Sequence, residues 1–268
     1  MITSTSNAKV KHLIQLKKKR KARDEEGAFL VEGIRMFRET PGERIAEVYI
    51  SQSFYEKETK LNGQALAGSP VLPEVLSDSV FAYVSDTKTP QGVLCVARQM
   101  DYTFEEAAGG NVPHLLILDN LQDPGNLGTI VRAAEGAGVT GILMGRDCVD
   151  MYNPKVIRST MGSVYRVPFY CAPDLMEAIR KVKERGVTIY AAHLHGSRAY
   201  DQEDYRKPCA FLIGNEGNGL HREIAGMADH YIKIPMCGQV ESLNAAVASA
   251  VLMFEVQRQR RTQTMGRW

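Results

Sequence analysis

The stretch from Leu115 to Val139 constrains the fold more than any other part of the chain. It opens with an apolar run of strand length, Leu115 to Leu118. A polar turn cluster, Asp119 to Gly128, follows and carries Pro124. Ile130, Val131, Ala134 and Ala137 then recur at helical spacing up to Gly138. The order is buried strand, tight loop, helix. In an open α/β sheet such a loop lies at the carboxyl end of its strand, where ligands bind. Arg132, about a turn into that helix, cannot enter the core with its charge unpaired. It is either a functional group or a solvated or salt-bridged surface cation.

The same alternation runs through the rest of the chain. After residue 112 the strand candidates are Leu115 to Leu118, Gly141 to Met144, Arg166 to Phe169, Thr188 to Ala192, Ala210 to Ile213 and Tyr231 to Ile234. Helices fit over 127–138, 153–160, 174–185, 219–226 and 242–261. Repeated βα units predict a mostly parallel sheet covered on both faces. Nearer the N-terminus, Ser4 to Arg23 reads as one helix, capped by Ser4, Ser6 or Asn7, with Val10, Leu13, Ile14 and Leu16 as its apolar stripe. Strands are expected at Phe29 to Gly33, Glu47 to Ser51, Val71 to Leu72 and Val93 to Ala97, and helices at Ile34 to Thr40, Phe54 to Leu61 and Pro73 to Asp78. A polar, glycine-bearing stretch separates the halves. The expected division is therefore 1–98, a linker over 99–112, and 113–268.

Composition excludes several classes. The net charge is only +2, so no overall basicity advertises nucleic acid. The distribution differs from the total: Lys9, Lys11, Lys17, Lys18, Lys19, Arg20, Lys21 and Arg23 crowd the start, and Arg258, Arg260, Arg261 and Arg267 the end. Such blocks either neutralise phosphates or are solvated helix ends. Five dispersed cysteines without a C-x-x-C pair argue for reduced thiols in a cytoplasmic protein and against a zinc site. His193 and His195 have no nearby partners to complete a ligand set and read as loop or core histidines. No apolar run has membrane-spanning length, and no signal-peptide apolar region follows the basic start. The usual phosphate loop, dinucleotide fingerprint and nucleophile elbow are missing.

Two further loops follow strand candidates, and with the first they resemble a known family. Asn120-x-x-Asp-Pro-Gly-Asn-x-Gly-x-x-x-Arg132, Ile213-Gly-Asn-Glu-Gly-x-Gly219 and Ile234-Pro-Met-x-Gly-x-Val-Glu-Ser-Leu-Asn244 resemble, in order and spacing, the three motifs of the SpoU (TrmH-like) branch of the SPOUT RNA methyltransferases. The match spans about residues 114–256. Ser6 to Val10, Val31-Glu-Gly33 and Thr89-Pro-Gln-Gly92 resemble the small RNA-binding domain attached in many members. The resemblance implies an α/β fold: a C-terminal parallel-sheet SPOUT domain with a deep trefoil knot, departing from the rule that chains avoid knots, plus a small N-terminal α/β RNA-binding domain. It also implies S-adenosylmethionine as cofactor, no metal, a homodimer, and methylation of a ribose 2′-hydroxyl in ribosomal RNA, with transfer RNA second.

Residue by residue, the resemblance places Gly214, Ile234 and Leu243 on the cofactor, largely through main chain, with Leu212, Asn215 and Ser242 nearby. Core packing accounts equally well for Ile234 and Leu243. The nucleophile side carries Asn126, Arg132, Glu216, Ser242 and Asn244. Arginine is almost always protonated, so Arg132 is expected to stabilise developing alkoxide charge and bind the adjacent phosphate. Asn126 orients Arg132 or the phosphate, or is a turn asparagine, and Glu216 bridges to Arg132 or holds a loop. Ser242 acts in the site or caps the last helix, while Asn244 is assigned to substrate. Asn153, Lys155, Arg158 and Ser159 resemble positions near the RNA path. The alternative is a non-catalytic RNA-binding or assembly factor on the same fold; base methylation belongs to other SPOUT branches.

Overall fold

A computed structural model describes residues 1–60, 66, 68–193 and 196–265, with side chains to residue 262. Leu61, His195 and Arg267 lie outside the described residues. The chain forms two compact units, Met1–Met100 with Asp150–Tyr165, and Asp101–Val149 with Arg166–Trp268.

In the first unit, β1 (Ala28–Glu32), β2 (Ile45–Ser51), β3 (Glu74–Leu76) and β4 (Val93–Arg98) form a sheet in the order β1-β4-β2-β3. Its pairings are antiparallel except β2 with β3. The apolar stripe of the first helix, Val10, Leu13 and Leu16, packs in one core with Leu30, Tyr49 and Leu94 of the sheet. That helix is not continuous to Arg23. It breaks at Lys19, giving Ala8–Lys18 and Arg20–Glu26. The buried Arg23 guanidinium donates to the carbonyls of Leu16 and Lys17 at 2.6 and 3.3 Å, satisfying acceptors that a helix end leaves unpaired. The expected strand at Val71 to Leu72 and helix at Pro73 to Asp78 are also corrected. β3 occupies Glu74–Leu76, and a helix runs over Asp78–Val84, because Ser77 Oγ accepts the Val80 N–H and Val80, Phe81 and Val84 face the core.

The segment Asp150–Tyr165 packs with this unit, although it is distant in sequence. Arg23 and Asp150 form a buried ion pair at 2.6 Å. Tyr152 lies 4.8 Å from Phe29 between ring centroids, and its hydroxyl donates to the Met100 carbonyl at 2.9 Å. The helix Pro154–Thr160 lies against β1.

The second unit contains β5 (His114–Leu118), β6 (Gly141–Gly145), β7 (Phe169–Ala172), β8 (Thr188–Ala192), β9 (Arg198–Ala199), β10 (Cys209–Ile213) and β11 (His230–Lys233). The order is β7-β6-β5-β10-β8-β11-β9, and every pairing is parallel. Alternate residues of β5 and β10 face opposite layers, as strand geometry requires. Leu115, Ile117, Ala210 and Leu212 pack in a cluster with Ile179 and Val182 of the helix Leu175–Glu184. The helices Pro124–Gly136 and Ala245–Met265 pack on each other. Within 99–112, Thr103 and Glu106 form a capping box for the short helix Phe104–Ala107, whose Phe104 and Ala107 join the same cluster. The sequence reversal in the sheet order falls between β5 and β10. Loops at the carboxyl ends of such strands are where an open α/β sheet binds ligands.

Candidate active site

Three loops leave the carboxyl ends of β5, β10 and β11. The first begins with Asp119 and Asn120, the latter in a left-handed conformation (φ 53°) that asparagine tolerates. Asp123 then caps the helix Pro124–Gly136, its Oδ1 accepting the Asn126 N–H at 2.7 Å. The second loop is a tight hairpin in which Asn215 and Gly219 exchange backbone hydrogen bonds, both 2.9 Å. Asn215 Oδ1 also accepts the N–H groups of Gly217 and Asn218. A Cβ on Gly214 would overlap the backbone of Gly219 and Leu220, so only glycine fits at the start of this turn.

Glu216 ties the first two loops together. Its carboxylate accepts Asn126 Nδ2 at 3.0 Å, the Asp123 N–H at 3.1 Å and the Gln122 N–H at 3.3 Å. Burial pushes this carboxyl up, but the hydrogen bonds from the Asn126 amide and the two backbone groups outweigh it and hold the group below its ordinary value. Glu216 is therefore ionised near neutral pH and acts as an acceptor. Asn126 turns its own Oδ1 to Asn244 Nδ2 at 3.0 Å, which links the third loop. Asn215 Nδ2 donates to the Asn120 carbonyl at 2.9 Å.

Beside this network is a cavity of about 660 Å³, lined by the second and third loops and the ends of β8 and β11. Of the residues expected at a cofactor, Gly214, Asn215, Ile234 and Leu243 line it. Leu212 does not: it is fully buried in β10, within the core cluster. Of the residues expected on the nucleophile side, Glu216 and Ser242 line the cavity, and Asn126 and Asn244 join through the hydrogen-bond chain. Arg132 is exposed on the helix Pro124–Gly136, outside the cavity lining, with no hydrogen bond or ion pair among the described residues. Glu216 thus bridges to Asn126 and loop backbone rather than to Arg132.

The cap of the last helix is Asn244, not Ser242: Asn244 Oδ1 accepts the N–H groups of Ala246 and Val247 at 2.9 and 3.3 Å. That leaves Ser242 exposed at the cavity. His193, expected as a loop or core histidine, lines the cavity from the end of β8, and its backbone N–H donates to the Ile232 carbonyl. Sequence reasoning passed over Asp119, whose carboxylate holds His221. A carboxylate at the end of an apolar strand was the available signal for Asp119; nothing local marks His193. Among the described residues no group of three or more histidine, cysteine or acidic side chains is arranged to hold a metal ion.

Residues 113–254 match the SpoU rRNA Methylase family, and residues 7–95 match the MRM3-like substrate binding domain. The chain is 31% identical over 258 residues to the 23S rRNA (guanosine(2553)-2′-O)-methyltransferase RlmP of Bacillus subtilis, covering 95% of this chain and 98% of that one. It is 34% identical over 226 residues to the 23S rRNA (guanosine-2′-O-)-methyltransferase RlmB of Bordetella pertussis, covering 81% and 91%. Among solved structures, the AdoMet-bound rRNA methyltransferase of Sinorhizobium meliloti superposes with a TM-score of 0.81 at 29% identity, over 96% of this chain and 97% of that one. The SpoU methyltransferase AviRb of Streptomyces viridochromogenes, in complex with AdoMet, gives 0.82 at 25% identity, over 96% and 100%.

Proposed function

The chain belongs to the SpoU rRNA methylase family, and from that premise we propose that it methylates a ribose 2′-hydroxyl of ribosomal RNA with S-adenosylmethionine as donor. The observation that carries the reading is the hydrogen-bond chain Glu216–Asn126–Asn244, which joins three loops beside one cavity. A cavity of about 660 Å³ is in the range of small-molecule sites, roughly 300–1,000 Å³. Its glycine-bearing turn and the Ile234 to Met236 backbone offer main-chain groups, and Leu243 and Leu252 offer apolar walls. These residues suit a nucleoside joined to an amino-acid tail. Gly214, Asn215, Ile234 and Leu243 would hold it, and when bound it supplies an activated methyl group.

The remaining work falls to the protein's own groups. Methyl transfer to a hydroxyl needs alignment and a more nucleophilic oxygen. Glu216, ionised and fixed by three donors, holds Asn126 in one orientation, and Asn126 in turn holds Asn244. Ser242 presents a hydroxyl at the cavity edge. Arg132 binds the phosphate next to the reacting ribose and stabilises charge developing on the 2′-oxygen; its exposed, unengaged guanidinium is suited to an incoming anion. Lys155, Arg158 and the rest of the first unit contribute contacts to the RNA backbone that set its register.

The protein acts as a homodimer in the cytoplasm. Val247 (49% exposed) and Phe254 (44%) stand two turns apart on the last helix, an apolar face suited to a second copy. Among the described residues no helix is long and apolar enough to cross a membrane. The knotted threading expected of the family belongs to the same reading.

Incubation with labelled S-adenosylmethionine and unmodified ribosomal or transfer RNA tests the proposal. Methyl incorporation into ribosomal RNA is expected; incorporation into neither would favour a non-catalytic RNA-binding factor.

A further inference from the structure

Asp119 and the ring it holds have no part in the chemistry derived above. Asp119 stands at the carboxyl end of β5 and is 5% exposed. Both of its oxygens are engaged by one residue. Oδ2 accepts the His221 backbone N–H at 2.7 Å, and Oδ1 lies 2.9 Å from His221 Nδ1. The imidazole, by contrast, is 58% exposed. A ring whose Nδ1–H is donated inward carries Nε2 on its opposite edge, and among the described residues this Nε2 has no partner. The carboxylate thus sets the tautomer and rotation of a side chain that otherwise points into solvent. It does so between the two loops that carry Asn126 and Glu216.

We propose that His221 is a phosphate-binding residue: an imidazolium, oriented by Asp119, that offers its Nε2–H to a backbone oxygen of the RNA beside the site. The inference rests on the methyl-transfer reading and adds a contact to it. An exposed ion pair alone contributes little to stability, whereas a fixed N⁺–H donor meets a phosphate oxygen in a charge-assisted hydrogen bond.

The charged groups around the ring agree with this assignment. The Asp119 hydrogen bond is the main reason the imidazole keeps its proton above the ordinary histidine value. Asp147, in the turn after β6, and Glu223, on the helix that follows His221, act in the same direction. Arg222 adjoins it in the chain, and Arg146 adjoins Asp147; both are exposed cations. When pH rises through the raised value, the ring loses its charge but keeps its Nδ1–H on Asp119. The loops stay joined and only the attraction for phosphate falls.

His221→Asn separates the two roles, because an asparagine amide still donates to Asp119 but is never charged. The test measures binding of the full-length protein to an unmodified 23S rRNA transcript across a salt series at pH 6.5 and 8.5, alongside S-adenosylmethionine titration and thermal melting. At pH 6.5 the variant should bind several-fold more weakly. Its slope of log affinity against log salt should be shallower by about 0.7–0.9, the loss of one phosphate contact. The difference should narrow as pH rises to 8.5, with donor affinity and melting temperature unchanged throughout. Equal slopes and affinities at pH 6.5 would overturn the assignment. So would a variant that loses donor binding or melts early, which would make the pair a structural latch. If the wild type itself neither binds nor methylates the transcript, the functional reading fails first, and that outcome is distinct from the other two.

Discussion

Among the described residues Arg132 is a cation without a partner and Glu216 an anion held by three donors; on the proposed reading the first meets the substrate and the second fixes the loops. Arg132→Ala should lower kcat at least about a hundredfold, leaving donor affinity and melting temperature unchanged, because the side chain makes no hydrogen bond or ion pair among the described residues. Single-turnover methylation with calorimetry on the same preparation checks this. Glu216→Gln replaces one acceptor oxygen by an NH₂, which must face either the Gln122 N–H or the pair formed by the Asp123 N–H and the Asn126 amide, donors in both cases. The expected result is at least about a tenfold loss in kcat, with donor affinity within a few fold. A separate residue sets a pH dependence. His114, 1% exposed in β5, has its Nε2 without a hydrogen-bond partner among the described residues. Burial, with the Arg260 charge second, pushes it down to about 3. The unfolded chain protonates this ring below about pH 6.5 while the folded protein keeps it neutral. Stability is therefore lost as pH falls through that window, by up to about 1.4 kcal/mol per pH unit from this residue. Urea unfolding of wild type and His114→Phe from pH 4.5 to 7.5 should show the steeper slope in the wild type; parallel slopes would contradict it.

At the scale of elements, the second loop depends on Gly214. An alanine there must open the Asn215–Gly219 hairpin, because its Cβ has no room beside Gly219 and Leu220. Gly214→Ala should weaken donor binding at least about tenfold in calorimetry, with a much smaller effect on the melting temperature. β5, β6, β8, β10, β11 and the three loops were readable from sequence because each pairs an apolar run with turn residues of restricted conformation. β7, expected at Arg166 to Phe169 but formed by Phe169–Ala172, and the two-residue β9 were not. Nor were the links between the loops. Asn126 and Glu216 are 90 residues apart, and only the parallel pairing of β5 with β10 brings their loops together. The fate of charges was also hidden. Arg23 looked like one more cation in a basic block, yet it ends one helix and pairs in a buried site with Asp150. Lys9 pairs with Glu74, and Lys17 donates to the Ser85 carbonyl. Of that block, Lys11, Lys18, Lys19, Arg20 and Lys21 remain exposed. The break at Lys19 has no glycine or proline to announce it; a tertiary contact decides it. At the other end, Arg260 donates to the carbonyls of Val112, Pro113, Tyr205 and Lys207, so it staples the second unit rather than facing solvent.

For the whole molecule, the packing units do not coincide with one cut in the chain, since Asp150–Tyr165 packs with the first hundred residues. Local periodicity carries no information about which core a helix joins. Removing residues 1–98 would strip Tyr152 and Asp150 of Phe29 and Arg23, so charge reversals on the exposed lysines at 18, 19 and 21 are the cleaner probe of RNA binding. The homodimer is tested by light scattering: twice the 29.7 kDa chain mass is expected, and Phe254→Asp should shift it toward one. Whether this site methylates a ribose is decided by nuclease digestion and mass spectrometry of ribosomal RNA treated with the protein and S-adenosylmethionine. One new 2′-O-methylated nucleoside is expected, and it should disappear with Arg132→Ala. A methyl group on a base, or a product unaffected by that substitution, would contradict the proposal.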